Sequence, residues 1–307
     1  MELQQLRYLV AVAETGNFTR AAERCFVTQP SLSQQIINLE TELGHKLFHR
    51  LGRRAVPTET GEMFIGRARR ILFEVETAAK EIQDSPSQER RITVGATPSI
   101  MPYWLPPLIL EATGRFPGLV INTLENFHAP LLNAVVDGEV DLALISMPVD
   151  DHRVAAEVLF REPLLLVVAE GHPLASKPEV TAHDLADETF VLLGHSSSLA
   201  SQIQRFCGDH DFEPRSGHHC AQIRTVKSLV AVGAGISILP KSARTSVDPV
   251  SLVYRKLSGR APYREIALVR HLQRYQSHGA NQFITLLREN VRALDAGKRE
   301  TGGKAGK

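Results

Sequence analysis

Apolar positions along the first sixty residues recur at helical spacing. In LQQLRYLVAVAETG, Leu3, Leu6, Leu9, Val10 and Ala13 form one stripe, and Gly16 with Asn17 ends it. Thr19 is expected to cap a second short helix carrying Ala21, Ala22 and Cys25, followed by the turn CFVT. Thr28 then caps a third helix, which opens with Gln29, Pro30 and Ser31 and runs through Leu32, Ile36, Leu39 and Leu43 to Gly44. Two short helices around a tight turn make a helix-turn-helix. Next, KLFHR and AVP flank LGRR as the strands of a hairpin, or wing. From Thr58 to about Gln83 a long helix carries Met63, Phe64, Ala68, Ile71, Leu72, Val75 and Ala79. With nothing local to bury that stripe, a dimerising helix is expected. The polar stretch DSPSQERR reads as a linker.

From Arg91 the pattern changes to strands alternating with helices. ITVGA, VINTLE, DLALIS, LLLVVAE, FVLLG, ISILP and IALVR are the strand segments, with helical runs such as WLPPLILEATGRF and LLNAVVDG between them. This rhythm predicts parallel α/β sheets with ligand sites at the carboxyl ends of strands, in two subdomains around a cleft. The expected layout is a winged helix-turn-helix over 1–58, a linker helix and hinge over 59–90, and a regulatory region over 91–295. The regulatory subdomains are placed at 91–162 with 267–295, and at 163–266; the Gly- and Lys-rich tail 296–307 is expected to be disordered. The fold class is α/β with an N-terminal all-α winged helix-turn-helix.

Composition narrows the function. The formal net charge is +1, so no global basic excess points to nucleic acid, yet Lys46, Arg50, Arg53 and Arg54 cluster with no acid among them. No apolar run spans a bilayer, and MELQQLRYLVAVAETG lacks the basic flank and cleavage site of a signal peptide, which predicts a cytoplasmic protein without membrane contact. Three cysteines, Cys25, Cys207 and Cys220, are too few for a disulfide framework. No nucleophile elbow, phosphate-cradling loop, CxxC or HExxH is present, so neither an enzyme nor a metal or cofactor site is expected. A solute-binding transport module would explain the α/β half but not the helix-turn-helix.

Taken jointly, AAERCFVTQPSLSQQIINLETELGHKLFHR, PTETG, FPGLVIN, GEVDLALI and VAVGAGISILP resemble a LysR-type transcriptional regulator over nearly the whole chain. The resemblance implies a winged helix-turn-helix joined by a long helix to a two-subdomain effector domain like a periplasmic binding protein. It also implies a dimer or tetramer on promoter DNA, an effector that changes subunit packing, and possible contact with RNA polymerase. The effector half is most similar to the peroxide-sensing OxyR branch, in GATPSIMPYWLPPLI, VLLGHSSSLASQIQRFCGDHDF and TVKSLVAVGAGISILP. That branch has a reactive cysteine nine residues before a resolving one. Here Cys207 matches the second position, but Ser198 stands at the first. A serine hydroxyl cannot form a sulfenic acid. Either the chain senses something else, or Ser198 locks a peroxide sensor in its reduced form.

Candidate site residues follow. Thr28, Gln29, Pro30, Ser31, Ser33 and Gln34 are expected at the exposed start of the recognition helix, where glutamine can read adenine, with Arg53 and Arg54 at the wing tip gripping phosphate or a minor groove. Thr97 and Ser99, after the first regulatory strand, with Ser146, His195, Ser197 and Ser198 at other strand ends, are expected to line a cleft for a small organic effector or peroxide. By the resemblance, Ser99 retains a hydroxyl where the OxyR branch holds peroxide with a threonine. Cys207 is the redox candidate.

Overall fold

The computed structural model describes residues 1–51, 54–83, 90–194 and 196–302. The chain divides into two compact units, Met1–Asp84 and Ser85–Lys307.

The first unit contains α1 (Leu3–Thr15), α2 (Phe18–Arg24), α3 (Gln29–Leu43), β1 (Phe48–Leu51), β2 (Arg54–Pro57) and α4 (Glu59–Gln83). Its core is the inward stripe of the three short helices, with Leu6, Leu9, Val12, Leu32, Ile36 and Leu39 buried. Asn17, not Thr19, caps α2: its side chain accepts from the Thr19 and Arg20 N–H groups at 2.8 and 3.1 Å, so the helix begins two residues earlier, at Phe18. Thr28 does cap α3, accepting from Ser31 N–H, and α3 stops at Gly44 in the left-handed region (φ 71°). The wing pairs antiparallel, Phe48 with Pro57 through Leu51 with Arg54.

Gly61 explains why PTETG opens α4. A Cβ there would lie 2.0 Å from the Leu47 carbonyl oxygen. Thr58 Oγ1 donates to Lys46 O and accepts from Gly61 N–H, tying the helix start to the segment that leads from α3 into β1. The stripe of α4 is not without a local partner, as the sequence suggested. Ile65 and Ala68 are buried in the same core, and Phe64 and Leu72 pack against it, whereas Met63, Ile71 and Val75 stay exposed.

The second unit comprises β3 (Arg90–Ala96), α5 (Met101–Arg115), β4 (Leu119–Glu125), α6 (His128–Asp137), β5 (Leu142–Ser146), β6 (Val154–Ala169), α7 (Pro173–Ser176), β7 (Thr189–Leu193), α8 (Ser198–Gly208), β8 (Arg215–Cys220), α9 (Ile223–Ala231), β9 (Ser237–Pro240), β10 (Leu252–Arg255), β11 (Tyr263–His271) and α10 (His278–Gly302). The expectation of purely parallel sheets is corrected. β3 is parallel to β4 and β5, and β7 to β8, but β11 runs antiparallel to β5 and β6, and β6 antiparallel to β9 and β10.

The long β6 joins two separate cores. One gathers Ile92, Val94, Leu105, Phe160, Ile266, Phe283 and Leu287; the other gathers Leu166, Val168, Phe190, Leu192, Ile203, Cys207, Val226 and Ile238. α10 continues to Gly302, past residue 295 where the sequence suggested that order ends. Ala296, Lys298, Arg299 and Glu300 are good helix formers, and before Gly302 the stretch holds a single glycine, Gly297. Residues 303–307 lie outside the described residues.

Candidate functional site

The first unit presents an exposed polar edge at the start of α3. Thr28, Gln29, Pro30, Ser31 and Gln34 are all exposed there. A groove beside them is lined by Asn17, Phe18, Thr19, Arg20, Gln29, Arg50 and Arg54. Arg50 is held in position: its guanidinium lies over the Phe18 ring, 4.7 Å from the centroid, and donates to Ser33 Oγ at 3.1 Å. Below this surface, buried Glu40 accepts from the Leu47 and Phe48 N–H groups at 2.9 and 3.4 Å and from Lys46 Nζ at 2.8 Å. It thereby fixes where the wing leaves the helix.

In the second unit, Thr97, Ser99, His128, Ser196, Ser197 and Ser198 meet around a small cavity with Pro98, Phe127, Leu193 and Ala221. About 10 Å³ of it is open to the centre of a water molecule. That is room for one water-sized group. Thr97 is 3% exposed, and its Oγ1 has no hydrogen-bond partner among the described residues; nor has His128 Nδ1. Burial pushes the His128 pKa down, which keeps the imidazole neutral at pH 7. α8 begins at Ser198 beside the cavity, so the N–H groups of its first turn, which lack helical acceptors, add donors. Among the described residues, no charged side chain lines the cavity.

Ser99 reaches outward from this cavity into a buried ionic network. Arg264 donates to Ser99 Oγ at 2.8 Å and Ser99 O at 2.9 Å, and through Nε to Glu162 at 2.8 Å. Glu162 in turn accepts from Ser242 N–H at 2.8 Å. The network runs from the strand end at Ser99 across β6 to the edge of the other core.

Comparison with known proteins agrees with this construction. Residues 3–62 match the bacterial regulatory helix-turn-helix model of the lysR family, and residues 85–292 match the LysR substrate binding domain. The chain belongs to the LysR family. This LysR-type transcriptional regulator is 33% identical to the DNA-binding transcriptional dual regulator OxyR of Escherichia coli, over 88% of this chain and 89% of that one. It is 31% identical to the Hca operon transcriptional activator HcaR of Escherichia coli, over 96% and 100%. Among solved structures it resembles a full-length cysteine-to-aspartate mutant of Pseudomonas aeruginosa OxyR, with TM-score 0.77 and 29% identity over 95% and 98% of the chains. A cysteine-to-serine mutant of Corynebacterium glutamicum OxyR, solved with hydrogen peroxide bound, gives TM-score 0.62 and 27% identity over 98% and 96%.

The regulator's predicted site residues are not all where the sequence suggested. Thr28, Gln29, Pro30, Ser31, Gln34 and Arg54 share the exposed edge, but Ser33 is 8% exposed. It flanks the apolar stripe one turn before Ile37 and two before Glu40, and its hydroxyl is spent on Arg50. Arg53 and His195 lie outside the described residues. Thr97, Ser99, Ser197 and Ser198 come together, whereas Ser146, fully buried at the end of β5, is not part of the cavity lining.

Cys207 is fully buried in a hydrophobic core, and burial pushes its thiol up to about 12, so almost no thiolate exists at neutral pH. Cys220 is buried in the same core, and Cys25 packs at the edge of the first one. Sequence reasoning placed Arg50 in the basic cluster but missed Arg20, Glu40, His128, Arg264 and Glu162. The alternation in YREIALVR, which puts Arg264 on the same face as buried Ile266, was the available signal for the ionic network.

Proposed function

We propose that this regulator binds promoter DNA through the exposed start of α3 and the wing, and that it senses by reversible occupancy of the Thr97 cavity rather than by thiol oxidation. The observation that carries the sensing half is the cavity itself: small, lined by hydroxyls and a neutral imidazole, and beside the start of α8. Such a lining suits a small uncharged ligand that both donates and accepts hydrogen bonds. Hydrogen peroxide has that chemistry, and the Corynebacterium OxyR mutant lacking a cysteine is solved with it bound. A bulkier organic acid would have to open the cavity and find a cation there.

On this reading Ser198 takes the place of the OxyR branch's reactive cysteine, and Cys207 remains as a core residue. Even a thiol at position 198 would need α8 to unwind before it met Cys207. Nine residues of helix separate the two by about 14 Å, against the roughly 4.4–6.8 Å a disulfide spans between Cα atoms. The assembly is proposed to be a tetramer of paired dimers, using the exposed Met63, Ile71 and Val75 of α4 as part of its contact. Cytoplasmic residence and contact with RNA polymerase belong to the same proposal.

Intact-mass analysis with thiol counting after hydrogen peroxide tests the sensing half. The native chain is expected to keep three free thiols, while Ser198→Cys, treated alike, loses two to a disulfide. Oxidation of the native chain at Cys207 under those conditions would refute it.

A further inference from the structure

Phe26 occupies the position in the helix-turn-helix that backbone geometry reserves for glycine. α2 closes with two bonds, from Val27 N–H to Ala22 O at 3.0 Å and from Phe26 N–H to Glu23 O at 3.1 Å. This paired closure puts the residue after the C-cap in the left-handed region, where Gly and then Asn are favoured. Phe26 has φ 56°. Asp211 is the other non-glycine residue with positive φ among the described residues, and its short polar side chain tolerates that conformation.

The strained backbone gains the phenylalanine nothing inside the chain. Its side chain is 96% exposed, while the adjacent Val27 packs against the core. The residues that follow, Thr28, Gln29, Pro30 and Ser31, form the exposed edge at the start of α3. A large apolar ring held in solvent, at a conformational cost, two residues before that edge is best matched by a surface that arrives from outside. The surface continuous with the edge is the duplex.

We infer that Phe26 is a DNA contact, packing its ring on apolar carbon of the operator, either deoxyribose or a thymine methyl, beside the base pairs that Gln29 reads. The inference rests on the DNA-binding reading of α3. A phenyl ring neutralises no phosphate, so its contribution adds affinity without releasing counterions and leaves the salt dependence untouched. Asparagine at the same position relaxes the backbone and removes the ring, separating the folding effect from the binding effect.

Operator affinity of the full-length protein, measured by fluorescence anisotropy from about 50 to 200 mM salt, tests the inference. Phe26→Asn is expected to unfold at the same or a higher temperature than the native chain, to bind about tenfold more weakly, and to keep the native salt slope. Replacing operator thymines by uracil divides the two carbon sources: a matching loss assigns the thymine methyl, and no loss assigns deoxyribose. Native affinity in Phe26→Asn, or a changed salt slope, would overturn the inference. So would native operator binding accompanied by lost activation with purified RNA polymerase, because the ring's partner would then be protein.

Gln29→Ala serves as the control. If it too binds as the native chain does, the DNA-binding reading of α3 fails as well; if it alone weakens binding, only the role of Phe26 fails. Should Phe26→Asn fold poorly, Phe26→Trp in a Trp104→Phe background gives a second readout. Its emission is expected to shift blue on operator addition, and no shift would overturn the contact.

Discussion

Gln29 and Arg54 line one groove, and in the proposed DNA-binding role they would do different work. Gln29, exposed at the first position of α3, can pair with the N6 and N7 edge of adenine, whereas Arg54 on β2 offers a cation to phosphate. Gln29→Ala is therefore expected to cost about 1–3 kcal/mol at one base pair and to relax specificity there. Arg54→Ala should weaken binding to all sequences evenly and lower the magnitude of the salt slope by about 1. Competition against a set of single-base operator variants, repeated across salt, checks both. Residue identity alone was enough to expect both on the exposed edge, because polar side chains at a capped helix start and a basic hairpin tip carry their chemistry in the local sequence. It failed at Ser33, because a small polar residue on the margin of an apolar stripe can turn either way until a partner such as Arg50 is known.

At the scale of elements, two joints depend on close geometry. The start of α4 passes so near Leu47 that any side chain at position 61 meets a carbonyl oxygen. Gly61→Ala is expected to destabilise the first unit by about 1–3 kcal/mol through overpacking, seen as a lowered urea midpoint with an unchanged denaturant slope. In the second unit, Lys227 on α9 holds Asp248, which also accepts from Thr245 and Tyr254. Burial opposes ionisation of Asp248, but the hydrogen bonds from Lys227, Thr245 and Tyr254 outweigh it and bring the carboxyl from 3.8 to about 2. Because the folded-state value is the lower one, the linked stability is complete above pH 4 and drains away as pH falls from about 4 to about 2, to a total of about 2 kcal/mol. Urea unfolding across that range should show the loss in the native chain. Asp248→Asn should lack this component and be less stable at pH 7, since it strips a buried ammonium of its counter-charge. Periodicity made the helices, the wing and the strands legible. The direction of β11 was not, because an antiparallel return and a parallel crossover leave the same alternation of apolar residues within a strand.

For the whole molecule, the sequence pattern placed the two functional halves but not the chemistry that links ligand to fold. Thr97 and Ser198 are distant in sequence and were candidates only as strand-end hydroxyls; their meeting at one small cavity depends on how the two cores of the second unit fold against β6. The Ser99, Arg264, Glu162 and Ser242 chain is coupled to that cavity through Ser99, which both lines it and accepts from Arg264. A ligand that binds one arrangement of this network better than the other by about 1–3 kcal/mol is enough to bias a regulator. Arg264→Met is expected to cost about 3–5 kcal/mol in stability by leaving Glu162 buried without its partner.

The most direct test of sensing without a thiol is a footprint on the promoter beside the protein's own gene. Native protein and Ser198→Cys are each treated with hydrogen peroxide, the peroxide is destroyed with catalase, and the DNA is then added. The native footprint is expected to match that of untreated protein, while Ser198→Cys keeps a shifted one. A shift that persists in the native protein after the peroxide is gone would contradict the account, because one of its own cysteines would then be the switch.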